Sequence, residues 1–443
     1  MRVFISLLLV FVLSGVVLSQ PIQQQEQQGY QQESAPKFGF GLSFGTVVIN
    51  GVTYFQVKGQ PDFAIGKFGV GLDINLEFDA NWNIRATEWN SWQAILSKIR
   101  YLRWAQKGEK PVYFKIGQID DGRIGNGFIM NNYDNNVNYP NIKKFGIAFD
   151  IDLDYGGIET FVDNIFDFDI IGLRPFARPL YGTQIPVLDG FEIGGSVVMD
   201  LDPLNPIPPK DYPYQFSDSP NSTNRVFIFG VDVGLPLIQL QPVFNMEWYA
   251  DFAYILGKGT GEATGLKGSI LSFIPYNLEL RILQPKFLPS FFDSLYDAER
   301  YIIIGNTYLT KYDLLDGITN GYFGWLFTSG VSFEKIATFL VTLEDSFDDT
   351  TYPRMRITLN IDRELTKIVA FSLVYDRKNI DEFRDIYTTE SVDAILLTKI
   401  SYKVSDMVSI VLSYRRTFDW FEEGGQKVLK PLESTSVSTE ISF

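Results

Sequence analysis

Cysteine and histidine are both absent from the 443 residues. Without cysteine there are no disulfides, thiolate zinc sites, thiol nucleophiles or lipidated N-terminal cysteine. Without histidine there is no imidazole metal ligand and no Ser-His or Cys-His catalysis. Positive charge is also short: 38 Lys and Arg stand against 53 Asp and Glu, a net charge of −15. Nucleic acid, which needs clustered bases, is therefore excluded as a partner. Beyond the first twenty residues no run approaches eighteen apolar residues, so a multi-helix membrane protein is excluded too. These absences point away from an enzyme and imply no cofactor and no metal.

The chain opens with MRVFISLLLVFVLSGVVLSQ, a basic Arg2 followed by an apolar run and small residues. Val17 and Ser19 precede a plausible cut before Gln20, so residues 1–19 read as a secretory signal peptide. Residues 20–37 are Gln-rich, lack the apolar content to bury a core, and are expected to form a disordered tail. From Phe38 to Phe443 the texture is uniform, which gives one domain of 443 − 37 = 406 residues.

Strict alternation dominates that domain. Val70, Leu72, Ile74, Leu76 and Phe78 alternate with Asp73, Asn75, Glu77 and Asp79, and period 2 of this kind means strand. The pattern returns at 149–154, 197–202, 227–235, 244–254, 278–282, 354–362, 396–404 and 408–414. Across these segments the apolar face carries no charge, and Thr398 is its only polar member. Turn residues fall between strands at Asn50-Gly51, Gly156-Gly157 and the glycine cluster 257–261. That cluster lacks the spacing of a phosphate loop and opens no helix.

Two architectures sort residues this way. A β-sandwich buries the apolar face against a second sheet; a transmembrane barrel turns it to lipid and fills the inside with polar groups. Aromatics toward strand ends (Phe78, Trp248, Tyr254, Tyr402, Tyr414) and strands of about nine to eleven residues favour the barrel. The chain also stops on a strand, with Val437, Thr439, Ile441 and Phe443 on one side.

A signal peptide, amphipathic strands to the last residue and a terminal Phe resemble outer-membrane β-barrels of two-membraned bacteria. Within that class the chain most resembles porins. The resemblance implies an all-β, closed antiparallel transmembrane barrel in the cell outer membrane, with residues 20–37 as a periplasmic tail. At about 25 residues per strand and turn, sixteen strands are expected, within a range of about 14–18. It implies outer-membrane lipid, the barrel-assembly machinery and small polar solutes as partners, and leaves open a homotrimer. Ile441 and Phe443 would inherit the assembly signal. The implied function is passive diffusion of small polar solutes and ions. The alternative is a structural or adhesive barrel with a closed lumen.

Residues 98–140 break the alternation and contain a stretch dense in Gly, Asn and Asp. Porins fold one long early loop into the lumen, where acids face bases across a constriction. By that resemblance Asp120, Asp121 and Asp134 would supply acids, and Arg100, Arg103, Lys115 and Arg123 bases; a plain extracellular loop stays open as the other reading. On the nine strands the lumen face carries Asp73, Glu77, Asp79, Asp150, Asp152, Asp154, Asp200, Asp202, Asp232, Glu247, Asp251, Glu279 and Asp362. Against these thirteen acids stand Arg281, Arg354, Arg356, Lys399 and Lys403. Asp150, Asp152 and Asp154 form an acidic rung rather than a calcium loop, which needs Gly and a wrapped backbone. The imbalance predicts weak cation selectivity.

Overall fold

In a computed structural model, residues 38–441 are described except 50–51, 87–88, 138–142, 205–224, 305–306, 334–335, 349–350, 387–393 and 424–425. The predicted signal peptide, the Gln-rich tail and Phe443 lie outside the described residues.

Alternating segments become strands throughout. The first six are β1 (Phe38–Ile49), β2 (Val52–Ile65), β3 (Phe68–Leu72), β4 (Ile74–Phe78), β5 (Ile99–Trp104) and β6 (Val112–Gly117). Two short strands follow, β7 (Gly122–Ile124) and β8 (Met130–Tyr133). Long strands resume with β9 (Gly146–Leu153), β10 (Gly156–Val162), β11 (Ile170–Ala177), β12 (Glu192–Asp200) and β13 (Val226–Leu240). Next come β14 (Phe244–Ile255), β15 (Thr260–Ile270) and β16 (Ile274–Leu283), then a second short pair, β17 (Tyr301–Ile304) and β18 (Thr307–Thr310). The chain closes with β19 (Tyr322–Phe333), β20 (Ala337–Ser346), β21 (Arg354–Ile361), β22 (Val369–Arg377), β23 (Ala394–Lys403), β24 (Val408–Glu423) and β25 (Gln426–Ile441).

All but the two short pairs join one sheet of 21 strands, in which the pairings are antiparallel and, β4 aside, link strands that follow one another along the sheet. β25 returns beside β1, where Gly45 packs against the Val437 carbonyl, so the sheet curls into a nearly closed barrel. β3 and β4 both pair with β2 and lie in line, which makes about twenty traverses. This corrects the expected sixteen. The error lay in the length assumed per strand: β5 and β6 have six residues each, and turns such as Gly66-Lys67 are minimal. The glycine cluster is a hairpin turn between β14 and β15, where Gly257 adopts φ +77°. The Gly156-Gly157 pair opens β10, pairing with Leu153 and Asp152, and the turn itself is Asp154-Tyr155; a Cβ on Gly157 would collide with the Ile151 carbonyl.

Burial is inverted relative to a soluble domain. Along β16, Leu278 and Leu280 are each 51% exposed while the alternate residues Glu279 and Arg281 are 5% and 4% exposed. In β4, Ile74 is exposed while Asn75 and Glu77 are buried. Among the described residues no second sheet covers the apolar face, and the single sheet curls into a barrel rather than a sandwich.

Candidate functional site

The inner face of the barrel carries the polar chemistry, and two connecting segments fold into it. The first is the expected early loop, residues 119–137, which holds the β7–β8 hairpin. The second, residues 284–321, holds the β17–β18 hairpin. The two are stitched together through backbone: Phe292 N–H donates to Ile129 O at 3.2 Å, and Asn131 N–H donates to Phe292 O at 3.0 Å. Their apolar side chains then pack as one cluster, with Phe128 stacked on Phe287 and Tyr133, Phe291 and Phe292 around Tyr296.

This inner body rests on inward residues of β10 to β16, among them Phe161, Ile170, Ile228, Ile255 and Leu283. Near the loop end, therefore, the inward positions turn apolar because folded chain covers them rather than water. On the other side the body meets β21, β22 and β24. Asp293 pairs with Arg354 and Lys378 at 2.8 Å each and with Lys311 at 3.6 Å. Ser294 donates to Asp376 at 2.6 Å, and Arg415 reaches Asp134 at 3.4 Å and the Asn136 carbonyl at 2.9 Å. Burial works against ionisation of Asp293, but Lys311, Lys378 and Arg354 together hold its carboxyl well below the usual carboxylate range.

The residues expected at a constriction are only partly brought together. Lys115 sits 2.9 Å from Asp120 and 3.8 Å from Asp121. Burial, with Asp121 and Asp134 nearby, outweighs Lys115 and pushes the Asp120 carboxyl up to about 6. Burial likewise raises Asp134, against the pull of Arg415. Arg123 turns back on its own hairpin, donating to Gly125 O at 2.9 Å and Asn126 O at 3.1 Å. Arg100 stays on the β5 wall, paired with Asp62, and Arg103 donates to Gln106 at 2.7 Å.

Most lumen acids have basic neighbours. Asp73 pairs with Lys58, Glu77 with Arg85, Asp150 with Lys107 and Glu247 with Lys267, at 2.9 to 3.3 Å. Asp152 is shared by Lys110 and Arg178. Asp251 accepts from the Asn126 amide at 3.2 Å, while Lys267 donates to the same amide at 2.8 Å, which docks the tip of the early loop on β14 and β15. Asp154 lies exposed past the end of β9, beside Tyr181.

Sequence reasoning missed two things. One is Arg174, a buried guanidinium on β11 shared by Glu159, Glu192 and Asp232. The other is the second inner segment. Its signal was present: Phe287, Leu288, Phe291, Phe292, Leu295 and Tyr296 are too apolar for an exposed connection, and the connection is too long for a turn.

No family model and no curated protein matches the sequence. Solved structures that match include Wzi of Escherichia coli, described as an outer membrane protein involved in group 1 capsule assembly and a carbohydrate-binding β-barrel. It is 11% identical over 92% of this chain and 85% of that one, with a TM-score of 0.32. The outer membrane protein opdK of Pseudomonas aeruginosa is 9% identical over 92% and 97%, at 0.32. The outer membrane channel DcaP of Acinetobacter baumannii is 10% identical over 94% and 100%, at 0.27. The barrel described above stands on its own strand register and inverted burial.

Proposed function

We propose that this chain is a porin-like barrel of the bacterial outer membrane through which small polar solutes and ions diffuse. The observation that carries this reading is the inverted burial: a largely apolar exterior, with Glu262 near the start of β15 an exception, around a charged interior is stable where lipid lies outside. In this orientation both described ends of the barrel face the periplasm and the inner body lies toward the outside of the cell. Lipid is then a partner of the outer face, and assembly would use the terminal strand that includes Ile441. No catalytic role is proposed.

Selectivity follows from the interior charge. Acids exceed bases on the nine alternating strands, but Lys58, Lys107, Lys110, Arg174, Arg178 and Lys267, from neighbouring strands and turns, lie against those acids. Pairing leaves a small residual field, so the proposed preference for cations is weak. It should fade with salt, since the Debye length falls from about 10 Å at 0.1 M to about 3 Å at 1 M. Reversal potentials under a KCl gradient in planar bilayers test this. A cation preference at low salt is expected, and an anion preference would overturn the acidic-lumen argument.

A structural or adhesive barrel is the second reading, favoured by the inner body that joins β10–β16 to β21–β24. Absence of any conductance would select it.

A further inference from the structure

The inner body meets the rim of β10 to β12 through a buried cluster richer in carboxylates than in bases. Asp163 and Asp169 flank the β10–β11 connection, Asp200 ends β12, and Asp297 belongs to the second inner segment. Arg300 donates to Asp169 at 3.0 Å and to Asp200 at 2.6 and 2.7 Å, and also reaches the Asp202 carbonyl at 2.9 Å. Lys144 lies 2.9 Å from Asp163 and 2.7 Å from Asp297. The Tyr296 hydroxyl donates to Asp200 at 2.7 Å and that of Tyr133 to Asp297 at 3.1 Å. Asp167, next to this group, adds further negative charge at Asp169. Among the described residues the cluster thus sets four buried carboxylates against two cations.

Such an excess is relieved most cheaply by a proton. Burial raises Asp163, against Lys144. Burial, reinforced by Asp163 and Asp200 and opposed by Arg300, pushes Asp169 up to about 7. The chain has no histidine, the side chain that ordinarily titrates near neutrality.

We infer that the cluster is a proton-operated latch: with its proton bound the inner body is held against the β10–β12 rim, and loss of that proton loosens it. A carboxyl raised in the docked state strengthens docking below its ordinary value near 4, and the gain is lost as pH rises through about 7. If the docked body lies across the path of solutes, passage should increase from acid to neutral pH. That consequence rests on the channel reading; the latch itself does not.

Two measurements test the latch. Conductance of the full chain in planar bilayers should be higher at about pH 8 than at about pH 5. Asp169→Asn keeps an acceptor for Arg300 without the charge, so it should hold the low value at both pH values. Amide hydrogen exchange of residues 287–300 at about pH 8 should be slower in Asp169→Asn than in the unaltered chain. A conductance independent of pH, an unchanged profile in the variant, or equal exchange in the two chains overturns the latch. Absence of current together with the expected difference in exchange overturns the channel reading and supports the latch.

Discussion

Asp293→Ala should release the inner body from the β21–β22 wall. The carboxylate is buried among Arg354, Lys378 and Lys311, so its removal leaves three cations crowded together without it. Breaking a buried ion pair by deleting one partner costs about 3–5 kcal/mol. The barrel strands keep their backbone ladder, so the cost should appear as undocking rather than global unfolding. Limited trypsin digestion of the detergent-folded chain reads this directly: new cuts at Lys286, Arg300 or Lys311 are expected, with the strands left intact. An unchanged digestion pattern would mean that the remaining contacts, apolar packing with Ser294–Asp376 and Arg415–Asp134, hold the inner body without Asp293. The carboxyl is depressed in the folded state, so its contribution is present above the ordinary value near 4 and is lost only as pH falls through the depressed one. This contact therefore persists across the range in which the Asp169 cluster titrates.

The second large effect concerns the outer face. Leu412 on β24 is 40% exposed on the proposed lipid side, while its neighbour Ser413 faces inward. Leu412→Arg should cost roughly 2–4 kcal/mol if it sits near the bilayer midplane, and Ser413→Arg should cost far less. Urea titration of refolding into vesicles gives both values in one experiment. The same contrast applies to Ile74→Arg and Leu359→Arg. Asn360→Arg is a poorer control for these, because Asn360 is buried against Ser372 and the new side chain would meet packed chain rather than water. Equal penalties for Leu412→Arg and Ser413→Arg would refute the assignment of faces.

Much of the fold was legible because facing is a local property. A strand presents successive side chains to opposite sides, so the sorting of Leu278, Leu280 and Ile282 from Glu279 and Arg281 could be read without any partner strand. The number of traverses could not, because it depends on turn lengths and on strands as short as β5 and β6, whose six residues give a weak periodic signal. The early loop was found by its composition, but where it docks was not. Asn126 finds Asp251 and Lys267 across 125 and 141 residues of sequence, and nothing near Asn126 encodes that meeting.

By itself the sequence determined that this is an all-β chain with one apolar and one charged face, without thiol or imidazole chemistry. Composition and period 2 suffice for that, since both are properties of adjacent residues. Only the tertiary structure decided which acids meet which bases. An acid count treats Asp152, Glu192 and Asp232 as bare negative charge, whereas the curled sheet brings Arg174 and Arg178 among them. Only the tertiary structure, too, turned residues 284–321 from a long connection into half of an inner body. Their aromatic side chains have no apolar face to join until the early loop lies beside them within the ring. Electrostatic pairing and apolar packing both depend on distance in space, and barrel closure sets that distance between residues far apart in the chain.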